Sequence, residues 1–364
     1  MTGRVTDAAS GAPIRAARVD VPQLGLATVT DSTGAYAVTP LPAGRWVLRV
    51  RATGYAPALS LAKPTVVNAT LQKSKPVQPC PARAGEAEVM PRVTFIPSSP
   101  APGDLVQVVA DDSTATLHGT LFGEPVTFIR DPSGTRFWGL AAVPLDSTHD
   151  GALVLPSTTV PLVITKPEVL AAAAPRKREA LHVAPQFAVP PTGTTEHRVS
   201  AENELAHEVG LATLGTAPMW DEPFIHPRPG RVTSPFGGGR QFNGKLIARH
   251  SGTDFSGQIG DSVGAANRGV VALVADFFLA GTVVYIDHGA GLTSAYFHLS
   301  AVNVTVGDTV QRGQRIGSVG ATGRVTGPHL HWVVRYGATS VNPLDALTLP
   351  VPPAGPVQPL CNNR

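Results

Sequence analysis

The apolar runs of this 364-residue chain are short, and nearly all of them stop at a glycine or a proline. Its 37 glycines and 35 prolines exceed an average share, yet fall short of the roughly 25–30% that marks a low-complexity chain. A run of about five residues closed by turn formers has room for a strand but not for a stable helix. The expected fold class is therefore mostly β.

The pattern divides the chain. Residues 1–73 alternate β-type runs with turns at Gly11-Ala-Pro13, Asp31-Ser-Thr-Gly34, Pro42-Ala-Gly44 and Gly54-Tyr-Ala-Pro57. Several strands at this spacing predict a small β-sandwich. Residues 74–91 read as a Pro-rich linker. Residues 92–166 resume with runs such as Leu105-Val-Gln-Val-Val109 and Phe137-Trp-Gly-Leu140, which predict a second, Ig-like sandwich without a converging acid, base or metal set. Residues 167–223 are a connecting segment. There Ala201, Leu205 and Val209 recur at i, i+4 and i+8 and predict a helix near 196–209, packed on a neighbouring domain and stopped by Gly210. Arg176-Lys-Arg178 reads as a solvated charge cluster. Residues 224–349 show no helix-period run and predict an antiparallel all-β domain, with 350–364 as a C-terminal tail.

Composition narrows the function classes. Charged residues make up 15% of the chain and the net charge is +3, so electrostatic steering is weak and no nucleic-acid partner is expected. No apolar stretch reaches 18 residues, so no transmembrane segment is expected. The start at Met1 lacks a basic flank followed by an apolar core, so no signal peptide is visible. Cys80 and Cys361 lie 281 positions apart in Pro-rich segments, and the sequence leaves their pairing undecided.

One group of residues carries chemistry: His250-x-x-x-Asp254, His298 in Tyr296-Phe-His-Leu299, and His329-Leu-His331 before Trp332. Hydrolytic zinc uses three protein ligands and leaves a fourth position for water, so five candidates leave two residues for proton transfer. Histidine suits that role because its ordinary pKa lies near neutrality. In a strand, His329 and His331 share one face, while Leu330, Trp332 and Val334 face the core. Gly252 is read as permitting a sharp turn between His250 and Asp254. His288 reads as a turn residue or as one that supports a metal ligand from behind rather than as a ligand, and His118, His149, His182, His197, His207 and His226 as surface residues. Gly317 to Gly323 reads as a glycine-rich β-turn rather than a phosphate loop.

Two resemblances add to this reading. Gly3-Arg-Val-Thr-Asp7, Gly11-Ala-Pro-Ile14, Thr30-Asp-Ser-Thr-Gly-Ala-Tyr36 and Leu41-Pro-Ala-Gly44 resemble carboxypeptidase-regulatory-like domains, which are non-catalytic sandwiches. Thr233-Ser-Pro-Phe-Gly237, His250-Ser-Gly-Thr-Asp-Phe255, Ile286-Asp-His-Gly-Ala-Gly-Leu292, Tyr296-Phe-His-Leu-Ser300 and Gly320-Ala-Thr-Gly-Arg-Val-Thr-Gly-Pro-His-Leu-His-Trp332 resemble the lysostaphin-like, LytM-type zinc endopeptidases of peptidase family M23. Pro185-Gln-Phe187, the helix and Trp220 resemble the lead-in of exported members with an added β-domain. This resemblance implies that His250, Asp254 and His331 bind one zinc ion per chain and that His298 and His329 are the catalytic pair. It also implies hydrolysis of amide bonds in peptidoglycan peptides, in the stem or the cross-bridge, by an exported protein in the periplasm or outside the cell. A monomer is expected, with the N-terminal domains available to a cell-envelope partner. The second function class is a non-catalytic wall-binding or amidase-activating module. The chain departs from the pattern at Phe236-Gly-Gly-Gly-Arg240, where Gly239 stands in place of an arginine and Arg240 is expected to take over substrate orientation at the rim.

Overall fold

Glycine-bounded runs that bury one or both faces must pair with one another, and in the computed structural model they do so almost entirely as antiparallel ladders. The structure describes residues 1–62, 65–74, 78–79, 90–112, 114, 116–166, 179–244, 246–358 and 360–362. Cys80, Arg176-Lys-Arg178 and most of the Pro-rich linker lie outside the described residues.

Two sheets form the first sandwich. One takes the order Leu26–Val29, Arg18–Val21, Trp46–Arg51, Ala58–Ala62, and the other Ala35–Ala37, Thr2–Asp7, Ala69–Leu71, the last pair being parallel. Val5, Val19, Leu48 and Leu71 are fully buried between them. Its turns are tied by carboxylates: Asp7 Oδ1 accepts hydrogen bonds from the backbone of Ala9 and Ser10, and Asp31 Oδ1 from Thr33 and Ala35.

The second sandwich pairs Thr127–Arg130, Arg136–Ala142, Leu105–Asp111 and Arg92–Ile96 in one sheet. Glu124–Pro125, Thr120–Leu121, Gly151–Val154 and Thr159–Leu162 form the other. Phe128, Phe137, Val106 and Leu153 fill the space between them. The outer face of the first sheet is buried as well: Leu105, Ile129, Trp138 and Leu140 continue into the core of the C-terminal domain through Trp220. This is why the Arg136–Ala142 strand is buried on both sides instead of alternating. His118 is buried against this sandwich, which corrects its reading as a surface residue. It directly follows Leu117, a residue of the sandwich core, so the chain has turned inward by that point.

The C-terminal domain is built on an eight-stranded sheet in the order Val232–Ser234, Thr253–Ser256, His329–Tyr336, Leu292–Leu299, Gly281–Gly289, Gly269–Phe277, Thr309–Val310, with Thr339–Val341 also pairing with His329–Tyr336. Leu330, Trp332, Val334 and Tyr336 project into the core and are fully buried. A short helix, Pro343–Ala346, capped by the Asn342 side chain, follows the last of these strands. A separate hairpin, Gly239–Phe242 with Leu246–Arg249, pairs in parallel with Glu179–Leu181 from the connecting segment.

The connecting helix spans Gly193–Ala212, longer at both ends than 196–209. Leu205, Ala206 and Val209 pack on Val47 of the first sandwich and on Leu273 and Tyr285 of the large sheet. Arg49, buried, reaches Asp20 at 2.8 Å within its own sandwich, and Glu204 at 2.9 Å and Glu208 at 2.6 Å on the helix. Gly210 lies inside the helix and does not stop it. A Cβ there would stand 1.9 Å from the Gly337 carbonyl oxygen, so the residue is glycine because two backbones touch.

Besides the shared apolar core, a buried hydroxyl ties the second sandwich to the large C-terminal sheet. Tyr336 Oη accepts a hydrogen bond from the Thr127 amide at 2.9 Å and donates one to the Pro125 carbonyl at 2.8 Å. Tyr336→Phe leaves both backbone groups buried without a partner, at a cost of about 1–3 kcal/mol. The expected result is a lowered thermal midpoint with an unchanged far-UV circular dichroism spectrum; an unchanged midpoint would show that this junction contributes nothing to stability.

The chain end adds a further element. The Pro356 carbonyl accepts from the Arg130 amide at 3.1 Å and the Gln358 amide donates to Phe128 at 2.8 Å, extending the edge of the second sandwich. Cys361–Asn362 pairs in parallel with Gln78–Pro79.

Candidate metal centre

The centre is assembled by three neighbouring strands. Asp254 on Thr253–Ser256 stands directly opposite His331 on His329–Tyr336, and His331 stands opposite Phe297 on Leu292–Leu299, one residue before His298. Ser256 faces His329 in the same register. The i, i+2 spacing of His329 and His331 therefore places both above one face of the sheet.

His250, Asp254 and His331 converge on one point. His250 Nε2 lies 3.0 Å from Asp254 Oδ1 and 2.8 Å from His331 Nδ1, and His331 Nδ1 lies 2.7 Å from Asp254 Oδ1. All three residues are buried. His329 Nε2 stands 3.7 Å from the same carboxylate oxygen. The His298 ring lies beside these, 4.9 Å from the His329 ring and 5.8 Å from that of His331, centroid to centroid. The five residues singled out in the sequence thus share one site.

Backbone carbonyls set the tautomers. His250 Nδ1 donates to Pro235 O, His298 Nδ1 to Thr322 O and His329 Nδ1 to Gly327 O, each at 2.8 Å. A carbonyl only accepts, so in each ring Nδ1 carries a hydrogen, and it is Nε2 that holds the lone pair of the neutral ring. Burial pushes the His331 imidazole down to about 4, against the pull of Asp254. Burial, then the neighbouring His329 and His331, hold His298 well below its ordinary value. Both rings are neutral at pH 7 and can offer a lone pair. Burial alone would raise the Asp254 carboxyl, but hydrogen bonds from His250 and His331 together hold it well below the usual carboxylate range. Two imidazoles and one carboxylate are the donor set of a hydrolytic metal site, and His250, Asp254 and His331 are the one group of this kind among the described residues.

Two local features hold the geometry. Gly252 does not adopt the left-handed conformation of a sharp turn; a Cβ on it would sit 2.4 Å from the Trp332 carbonyl oxygen and 2.8 Å from His331 Nε2. Its role is close approach to the His331 ring. His298 itself has a φ of 62°, a left-handed conformation that costs a non-glycine residue of order 1–3 kcal/mol and swings the ring toward the centre. The sequence offered no sign of this strain.

Other residues close around the centre. Arg240 Nη2 pairs with Asp254 Oδ2 and reaches Ser234 Oγ at 3.1 Å, so it clamps the carboxylate whose other oxygen faces the histidines. This places it inside the site, where the sequence had suggested substrate orientation at the rim. The 239–249 hairpin brings Phe242 over the cleft, where the Arg324 guanidinium lies 4.1 Å from the ring centroid. Leu181, Val183, Phe187 and Ala188 of the connecting segment pack against Phe242 from above. Arg240, Phe242 and Arg324 line both lobes of the resulting cleft, one holding His329 and the other His298. The lining of both lobes runs from Leu181 to Arg335. His288, buried, bonds Arg268 O and Ser294 Oγ at 2.8 Å each and belongs to the core.

Comparison with known proteins gives two family matches. Residues 248–343 match peptidase family M23. The C-terminal domain belongs to that family. Residues 1–72 match the carboxypeptidase regulatory-like domain, so the first sandwich is of that kind. The M23 segment is 45% identical over 102 residues to the peptidoglycan DD-endopeptidase ShyA of Vibrio cholerae serotype O1, covering 28% of this chain and 24% of that one. It is 37% identical over 131 residues to the DD-carboxypeptidase/endopeptidase Mpg of Neisseria meningitidis serogroup B, covering 36% of this chain and 29% of that one. A crystal structure described as a putative peptidase M23 from Pseudomonas aeruginosa is 26% identical, covers 68% of this chain and 95% of its own, and superposes with a TM-score of 0.49. The chain spans about a quarter of the length of the first relatives. No helix among the described residues is long and apolar enough to cross a membrane.

Proposed function

We propose that this chain is a zinc-dependent endopeptidase that hydrolyses amide bonds of bacterial peptidoglycan peptides, with His250, Asp254 and His331 as metal ligands and His298 and His329 as the catalytic pair. The observation that carries this reading is the meeting of His250 Nε2, Asp254 Oδ1 and His331 Nδ1 within 3.0 Å of one another, beside two further imidazoles whose Nε2 lone pairs are free of backbone partners. Zinc held there would supply a Lewis acid that polarises a carbonyl and acidifies water.

The chain's own residues supply the rest. Arg240, itself held by Ser234 Oγ, fixes Asp254 through the carboxylate oxygen that does not face the histidines. One of His298 and His329 takes up a proton at Nε2, and the other stabilises the developing oxyanion or returns a proton to the leaving amine. Their Nδ1 hydrogens, tied to the Thr322 and Gly327 carbonyls, keep both rings turned to the reacting atoms throughout. ShyA acts on peptidoglycan by its description and Mpg is described as a DD-carboxypeptidase/endopeptidase, which supports a peptidoglycan peptide as substrate and an exported location. The N-terminal sandwiches pack through buried residues onto the catalytic domain, which supports a fixed scaffold rather than a tethered targeting module.

Digestion of purified sacculi by the full chain tests the reading. The expected result is release of soluble muropeptides whose masses show one class of broken amide, together with about one zinc per chain after gentle purification. Intact sacculi and absent zinc would instead support the wall-binding or amidase-activating alternative.

A further inference from the structure

The cleft carries an unbalanced charge. Arg240, Arg249, Arg324 and Arg335 line its two lobes against two carboxylates, Asp254 and Glu202. Both carboxylates are already engaged, Asp254 by Arg240 and Glu202 by Arg198 at 2.8 Å. Arg324 is half-buried and faces no carboxylate at ion-pair distance among the described residues; its charged neighbour is another cation, Arg240. Burial, then Arg240, push its guanidinium down to about 10, still fully charged at neutral pH. A partly buried cation without a counter-ion is costly, and the Phe242 face offsets only part of that cost.

Its position adjoins the chemistry. Arg324 stands two residues after Thr322, whose carbonyl holds His298, and five before His329. Its backbone is pinned by a 2.8 Å hydrogen bond from its amide to Leu279 O. With one face of the guanidinium on Phe242, the N–H edge remains to form the paired hydrogen bonds that match a carboxylate.

We propose that Arg324 is a specificity residue that binds a free carboxylate of the peptide close to the amide being cut, so that the cleft selects anionic peptides; the proposal rests on the hydrolase reading above. A purely structural Arg324 would do no more than hold the hairpin down through Phe242.

Cross-linked muropeptide dimers with free carboxylates, and the same dimers with their carboxylates capped as methylamides, discriminate the two. The readout is the ratio of kcat/KM for free over capped substrate. In the unmodified protein a ratio of roughly 10 to 100 is expected, the range for losing a charge-assisted bidentate contact. Arg324→Gln should bring the ratio to near 1, with most of the change in KM, and Arg324→Lys should leave an intermediate value because the charge remains but the fork does not. Variants that lose activity on both substrates while keeping the ratio, or an unmodified protein with a ratio near 1, would overturn carboxylate recognition and leave the hydrolase reading standing. Cleavage of neither dimer by the unmodified protein would overturn both.

Discussion

His331→Ala is expected to abolish both metal retention and hydrolysis. His331 Nδ1 is shared between Asp254 Oδ1 at 2.7 Å and His250 Nε2 at 2.8 Å, so its loss leaves two donors of three at a buried point. Loss of a partner that merely orients a ligand costs roughly 10- to 100-fold in metal affinity, and loss of the ligand itself should exceed that. Metal content by mass spectrometry and dye release from labelled sacculi should both fall to background. The ring also stacks on Phe297 at 5.2 Å, so thermal unfolding serves as a control for folding. A variant that keeps about one metal per chain would remove His331 from the ligand set.

His329→Ala should separate metal binding from turnover. His329 Nε2 stays 3.7 Å from Asp254 Oδ1, outside the cluster of three, and the ring is only partly buried. Metal content should therefore stay near one per chain while kcat falls by about 10²- to 10⁴-fold, the usual worth of a positioned acid or base. Loss of metal in parallel with activity would assign His329 to the ligands instead. Comparison with His331→Ala on the same preparation of sacculi makes the division of roles visible in two measurements.

The shared placement of these two histidines was legible in the sequence itself. His329 and His331 are two apart in a segment that also carries Trp332 and Val334, and strand periodicity alone puts both histidines on the face opposite the core. The glycine-bounded runs likewise indicated β structure throughout, because runs of that length have no other regular way to satisfy their backbone. Where local rules were applied to glycine they misled. Gly210 and Gly252 were read as a helix stop and a turn, whereas each is required by contact with a backbone or ring more than 70 residues away.

Sequence by itself thus determined the strand character, the donor chemistry of His250, Asp254, His298, His329 and His331, and the sidedness of the His-x-His pair, since these depend on residue type and on a period of two. Tertiary structure alone decided which strands lie side by side, and so which donors meet: Asp254 opposite His331, His298 bent inward at positive φ, the Thr322 and Gly327 carbonyls fixing tautomers, Arg240 clamping Asp254, and Phe242 carrying Arg324 over the cleft. The reason is physical: a strand's own residues specify which way its side chains point, whereas its neighbour and register are selected by how the whole set of apolar faces packs, a choice in which no single segment has the deciding share.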